Sequence, residues 1–258
     1  MQTPHLEHLF WDVDFLKKNE FVRSPAFGIR PGDKSVSYPI RLLRYWFMYH
    51  FIQNEFLKRK HPLSVCEVGV DTGQMLQFMT SVVPDTHAPA RWSKWAAVDC
   101  IIRKEELLAS GYTDLMECNI EKDTLPLLGT YDVMILLHVL EHLHDPEKVM
   151  DRLFQFVAKG GIAVGGFPVV PHIFCETRER QLRKRNIPFG HVSVFSVKRV
   201  AEMARSLGAK LEYVTGTFFL RSRGSALENF KWWTRLNLLW GALFPRVGGE
   251  LYWVMRKI

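Results

Sequence analysis

The sequence predicts a doubly wound α/β domain, a parallel sheet with helices on both faces. Three observations predict it. From residue 63 onward, short apolar runs alternate with helical patterns, the mark of βαβ units. The first run, 63–70, is nearly continuous in apolar residues, as a strand buried on both faces must be. It ends in the stretch CEVGVDTG at 66–73, a glycine turn after which Met75, Phe78, Met79 and Val82 take up a helical spacing. Glycines in such a turn let backbone pass close to a ligand, because no Cβ intervenes.

The elements follow in order. Two aromatic, helix-like pieces precede the first strand, at 8–18 and 38–60, divided by a Pro/Gly region at 24–33. The second packs Tyr45, Trp46, Phe47, Met48, Tyr49, Phe51 and Ile52 between Arg41, Arg44 and the basic run 58–60. It reads as a helix laid over the core with solvated basic ends, or as an interfacial helix or substrate lid. Strands are expected at 63–70, 95–100, 114–119, 131–138 and 161–167, with helices at 73–82, 103–110 and 146–158. The last helix is well punctuated: Asp145 as N-cap, Pro146 at its first position, Gly160 and Gly161 at its end. A basic, proline-punctuated insert then runs to Ser196. Beyond it come a helix at 197–207, a strand at 210–220, a tryptophan-rich helix at 225–243 and a last strand at 250–256. The chain therefore divides into an N-terminal helical extension or lid, 1–61, and a core, 62–258, with an insert at 168–196.

At 258 residues, 47% hydrophobic and 24% charged, the chain can bury one sizeable core with an extension. A formal charge of +7 and a pI near 9.3 point to acidic partners without locating them. Cys66, Cys100, Cys118 and Cys175 show no CxxC spacing, and three of them fall in or at the ends of expected strands. That usage suits a reducing cytosol. No signal peptide is visible, and no apolar run approaches the ~18 residues of a membrane span.

Ligands of such sheets sit outside the carboxyl ends of the strands. The second strand ends in Asp99, where a carboxylate can accept hydrogen bonds from both ribose hydroxyls. The interval from Gly69 exceeds the ~20 residues of the dinucleotide fingerprint, and a loop insertion at 84–92 accounts for it. The third strand ends in Cys118-Asn119-Ile120, an amide and an apolar contact suited to an adenine edge and face. The fourth leads into HVLEHLHDP at 138–146. His138-x-x-Glu141-His142 matches the inverted zincin pattern, but that chemistry needs both histidines on one helix, and here His138 ends a strand. A nicotinamide fold would need G-x-G-x-x-G, which Asp71 breaks.

Together these segments resemble a class I S-adenosylmethionine-dependent methyltransferase, of the group holding quinone-biosynthesis and many small-molecule and sugar O-methyltransferases. The resemblance covers about residues 63–210. It rests on EVGVDTG at 67–73, on Asp99, and above all on YDVMILLHVLEHLHDP at 131–146 followed by AKGG at 158–161. GHVSVFS at 190–196 resembles the group's segment before its last core helix. The departure is Asp71, where the family loop commonly has glycine.

The resemblance implies a three-layer, Rossmann-like fold with seven strands in the order 3-2-1-4-5-7-6. It implies S-adenosyl-L-methionine as cofactor, with Glu67, Gly69, Gly73, Asp99, Asn119, Ile120 and His138 around it. Deprotonation of a hydroxyl acceptor calls for a base, and histidine titrates in the right range. His191 is the first candidate, with His142 and His138 after it; the resemblance to quinone-type enzymes admits a divalent metal held by Glu141 and His142 but does not require one. The turn after the fourth strand lacks the Asn/Asp-Pro-Pro-aromatic sequence of enzymes that methylate planar amides, which favours an oxygen acceptor. Arg178, Arg183 and Arg185, with Glu141, are the candidate acceptor contacts, and the arginines could grip a phosphate or carboxylate. With the aromatic helix and Trp232, Trp233 and Trp240, they suggest a small or lipid-linked acidic acceptor, such as a glycan precursor, met in the cytoplasm or at the inner face of the membrane. An RNA acceptor, or a non-catalytic nucleoside-binding module, is the alternative; nucleic acid is the weaker reading because no RNA-binding motif accompanies the basic residues.

Overall fold

The computed structural model describes residues 5–17, 36–81, 91–127, 129–185, 187–220 and 224–258. Seven strands form one sheet in the order β3-β2-β1-β4-β5-β7-β6. They are β1 (Leu63–Val68), β2 (Trp92–Asp99), β3 (Asp114–Glu117), β4 (Tyr131–Leu137), β5 (Val157–Pro168), β6 (Ala209–Thr217) and β7 (Glu250–Lys257). The pairs among β1 to β5 are parallel, while β7 runs antiparallel between β5 and β6. That reversal carries the first residue of β7 to the edge where the other strands end: Glu250 lies in register with Pro168 of β5 and Thr217 of β6.

Alternation along the strands splits the core into two layers. Val65, Val133, Ile135, Tyr252 and Val254 face helices α1 (Leu43–Arg59) and α2 (Gln74–Ser81). Cys66, Met134, Leu136, Trp253 and Met255 face α4 (Pro146–Phe154) and α6 (Val197–Ser206), with α3 (Lys104–Ala109) on the first side through Leu107. Trp46, Phe47, Met48 and Ile52 of α1 are fully buried in the core, and Phe47 stacks on Tyr252 at 4.5 Å. Of the expected readings of this helix, a cover over the sheet is the one its packing describes. The Trp-rich helix α7 (Lys231–Leu243) lies on β6, where a Cβ at Gly241 would run into the Gly216 carbonyl. Its Trp233 is buried and its Trp232 exposed.

Several boundaries differ from expectation. The stretch 8–17 forms two 3-10 turns, Glu7–Phe10 and Asp14–Leu16, not one helix; Lys18, the Pro/Gly region 24–33 and most of the 84–92 loop lie outside the described residues. The 38–60 helix begins with a 3-10 turn, Ile40–Leu42, behind Pro39. Its tryptophan-rich counterpart starts at Lys231, after a separate turn at Ala226–Asn229. Helix α4 has the expected Asp145 cap, which accepts the Lys148 N–H, but it stops at Phe154. Gly160 and Gly161 belong instead to β5, at a bulge where the pairing slips from Tyr131↔Val157 to Val133↔Ile162. Gly160 supplies the positive φ (71°), and a Cβ on Gly161 would stand 3.0 Å from the Asp132 carbonyl. The insert after β5 contains helix α5 (Cys175–Arg185), in which no residue is buried. All four thiols are free.

Candidate active site

The carboxyl ends of β1, β2 and β4 meet at two turns whose backbone is strained in the same way. Gly69 and Gly73 have φ of 75° and 78°, Asp71 has φ 49°, and His138 after β4 has φ 58°. Each half of the site thus carries a non-glycine residue in the left-handed region, which costs energy and tends to mark function. A Cβ at Gly69 would collide with the Val139 side chain, so these two turns touch. Asp71 adopts the conformation of the glycine it replaces, which Asp tolerates better than most residues. Its N–H donates to Asp99 Oδ2 at 3.0 Å, and its carboxylate accepts from Gln74 Nε2 at 2.9 Å.

Glu67 lies beneath this loop. It is buried and accepts from Trp95 Nε1–H (3.1 Å) and from the Tyr112 hydroxyl (2.7 Å). Tyr112 in turn fills the space a Gly73 side chain would need. Burial, opposed by those two hydrogen bonds, pushes the Glu67 carboxyl up to about 7. Asp99 is partly exposed at the end of β2, with Oδ1 3.4 Å from the Ile101 N–H. Asn119 Oδ1 accepts the Glu121 N–H, and Ile120 is 9% exposed beside it. Glu121 then accepts the His144 N–H at 2.6 Å, tying this segment to the turn after β4. A carboxylate, an amide, an apolar contact and a turn whose glycines cannot carry side chains line one edge, and this donor set fits a nucleoside-bearing cofactor.

The turn after β4 is a single 3-10 turn, Leu140–His142, and His138 stays at the strand end, so the zincin arrangement is absent here. The His138 ring is held between carboxylates: Nδ1 is 2.8 Å from Glu141 Oε1 and Nε2 is 3.5 Å from Glu250 Oε2. Burial would lower its pKa, but the Glu250 charge and the hydrogen bonds to Glu141 and Glu250 together raise it. A carboxylate on each side of the ring favours its protonated form. Glu250 is also held by Arg44 Nη2 at 2.9 Å and by the Tyr252 hydroxyl at 2.5 Å. Burial opposes its ionisation, and Arg44 and His138 overcome that and hold it well below the usual carboxylate range.

His142 and His191 come together from distant parts of the chain. The Glu141 carbonyl accepts the N–H groups of Val192 (2.8 Å) and Ser193 (3.0 Å), and Ser193 Oγ donates to the Leu143 carbonyl at 2.6 Å. These bonds lay the 190–196 segment on the post-β4 turn. The rings of His142 and His191 meet edge-on at 4.8 Å, and each can offer one atom, with Glu141, within a 4.8 Å group. His142 Nδ1 donates to the Gly190 carbonyl at 3.2 Å, which leaves Nε2 with the lone pair. Glu141 Oε2 is buried without a hydrogen-bond partner. This cluster has the donors of a base and of a divalent-cation site alike.

Among the arginines, Arg183 donates to the carbonyls of Val192 (3.1 Å) and His144 (3.0 Å) and pairs with Glu179 at 2.7 Å, so it fastens α5 to the turn. Arg178 and Arg185 stand exposed. Sequence reasoning missed Arg44, Glu250 and Tyr252. The available signals were an arginine inside an aromatic helix and a glutamate opening an otherwise apolar strand. The cavity lined by Trp11, Phe51, Glu55, Glu212, Tyr213 and Arg256, about 250 Å³, lies at the opposite edge of the sheet and away from this chemistry.

Comparison with known proteins places this geometry. Among curated proteins none matches the sequence. Of solved structures, the N-methyltransferase NodS from Bradyrhizobium japonicum WM9, crystallised with S-adenosyl-L-homocysteine, aligns with TM-score 0.51 at 12% identity, over 85% of this chain and 88% of its own. A possible histamine N-methyltransferase from Thermotoga maritima gives 0.51 at 17% identity, over 84% and 92%. The plantazolicin methyltransferase BamL, in complex with a triazolic desmethylPZN analog and SAH, gives 0.52 at 10% identity, over 83% and 85%. At such identities the likeness is one of fold. Among the described residues no helix is long and apolar enough to cross a membrane. Residues 41–214, two thirds of the chain and every site residue above outside β7, match the methyltransferase-domain family, and to that family the chain belongs.

Proposed function

We propose that this S-adenosylmethionine-dependent methyltransferase methylates a hydroxyl on a small or lipid-linked acidic acceptor of the kind from which surface glycans are assembled, in the cytoplasm or at the inner face of the membrane. The cofactor supplies an already activated methyl group, so the protein's part is to bind, align and deprotonate. Alignment alone can contribute ~7–11 kcal/mol to lowering the barrier. Asp99 would accept the ribose hydroxyls, Asn119 and Ile120 would meet the adenine, and the Gly69–Gly73 turn would admit the methionine part.

The observation that carries the acceptor side is the pairing of His142 and His191 beside the buried Glu141. A hydroxyl needs a base when the methyl transfers, whereas a neutral amine does not. Of the three histidines, His191 takes the proton, with His142 beside it. Arg178 and Arg185 would meet the acceptor's negative charge.

The test is transfer of an isotopically labelled methyl group from S-adenosylmethionine to fractionated extracts of the source cells. Label in an acidic glycan or glycolipid fraction, stable to conditions that cleave esters, is the expected result. Label confined to amines or to RNA would overturn the acceptor assignment.

A further inference from the structure

Helix α5 and its flanks are difficult to explain as part of the fold. No residue of α5, or of the 3-10 turn His172–Phe174 before it, is buried. Only Cys175, Glu179 and Leu182 are even half-buried, and their spacing defines the single face turned toward the protein. Around the rest of the helix stand Arg178, Arg180, Lys184 and Arg185, all exposed. Of the two acidic residues in α5, Glu179 is occupied by Arg183 and Arg199, and Glu176 is paired with Arg180.

Apolar side chains project at both ends of this basic helix. Ile173 is 79% exposed and Phe174 56%; after the helix, Ile187 is 58% and Phe189 82%. Phe189 also has φ 54°, a strained conformation for an aromatic residue. The strained residue precedes Gly190, whose carbonyl holds His142, and His191. Cations flanked by bare aliphatic and aromatic groups are what a peripheral segment uses against an anionic bilayer: the cations meet the headgroups and the apolar ends enter the boundary below. Nucleic acid would use the arginines and could stack on the phenylalanines, but it gives no place to two exposed isoleucines.

We infer that residues 172–185 and 187–189 are a docking surface for an anionic lipid bilayer, set at the rim of the acceptor site so that a lipid-borne acceptor reaches His191 without leaving the membrane plane. This deepens the reading of a lipid-linked acceptor and rests on it for its purpose. Bilayer binding itself is measured without turnover, so the two can fail separately.

The experiment is cosedimentation of the full chain with phosphatidylglycerol–phosphatidylcholine vesicles and with phosphatidylcholine vesicles alone, across a salt series. Binding to the first and not the second, weakening with salt, is expected. Arg178→Ala combined with Arg185→Ala should lower it at least ~tenfold, since each cation near an anionic surface is worth ~1 kcal/mol. Phe189→Ser with Ile173→Ser should lower it as far, with weaker salt dependence of what remains. All four side chains are exposed, and unchanged S-adenosylmethionine affinity by calorimetry verifies that each variant is folded. Absent vesicle binding, binding indifferent to the apolar substitutions, or displacement by single-stranded RNA would each overturn the inference. Vesicle binding with no labelled lipid in the transfer assay would leave the surface standing and sink the lipid-linked acceptor.

Discussion

Helix α1 and strand β7 carry charge at both of their ends, and the two ends of the sheet use it differently. At the far edge, Glu55 accepts from Arg59 (2.5 Å) and from both terminal nitrogens of Arg256 (3.1 and 2.9 Å). Arg256 also reaches Glu212 and the Gly160 carbonyl, and Arg59 reaches Asp132, whose other oxygen accepts from Ser64. Only Arg256 Nε is left over in that group. At the ligand edge, Arg44, Glu250, His138 and Glu141 form the matching cluster, yet Arg44 Nε and Glu141 Oε2 are buried without a partner and His138 Nε2 is a long 3.5 Å from Glu250. A buried polar group left unpaired costs ~1–3 kcal/mol. The far cluster is bound into the fold by nearly all of its polar atoms; the cluster at the strand ends keeps several of its own outside that network.

The sharpest test removes one carboxylate from each. Glu55 and Glu250 have side chains only 2% and 3% exposed, and stripping a buried arginine of its partner costs ~3–5 kcal/mol. Glu55→Ala is therefore expected to lose that much in urea denaturation while keeping kcat at temperatures where it is folded. Glu250→Gln, which preserves shape, should lose turnover beyond what its fraction unfolded explains. Equal kcat losses in the two variants would erase the distinction between the edges. Next in size is His191→Ala, for which a rate loss of ~10²–10⁴ is expected with cofactor affinity unchanged. Normal turnover in that variant would remove His191 as the base.

The same contrast explains what could be read in the chain beforehand. The strands and the glycine turn were legible because they depend on local patterns, continuous apolar runs with Gly69 and Gly73 between them, whereas the strand order followed only from the family resemblance. The His138–Pro146 turn was legible as a motif. The sequence does not show its partners, because Glu250 and Arg44 reach it through an antiparallel strand and a helix some 90 to 110 residues away. The bulge at Gly160–Gly161 was misread as a helix end, since Gly after a basic residue serves both purposes. Arginines in the insert looked alike in sequence, and only the carbonyls of His144 and Val192 set Arg183 apart.

Glu67 tests the ligand edge through pH. Its carboxyl is raised from 4.5 to about 7, so its contribution to stability is fully present below 4.5 and is lost as pH rises through 7. The loss amounts to ~3 kcal/mol. Glu67→Gln cannot ionise. Relative to the parent it should gain that amount between pH 4.5 and pH 8 in paired denaturation curves, and a difference that stays flat with pH would show that Glu67 ionises normally.

The smallest expected effect separates support from contact. Asp99 both accepts the Asp71 N–H and presents its carboxylate at the rim, so Asp99→Ala should weaken S-adenosylmethionine at least ~tenfold, or ~1.4 kcal/mol, by calorimetry. Loss of the loop anchor alone would give a similar result. Asp99→Asn divides the two, because its amide oxygen can still accept from Asp71 while one ribose acceptor becomes a donor. If the ribose contact matters, Asn falls with Ala; if only the loop matters, Asn binds like the parent. The control is Asp132→Asn at the far edge. That aspartate is likewise tied to a backbone N–H, of Ser64 at 2.9 Å, yet is remote from the strand ends. It should leave the cofactor affinity untouched, so any drop there would mean that the two edges are coupled through β1 and β4.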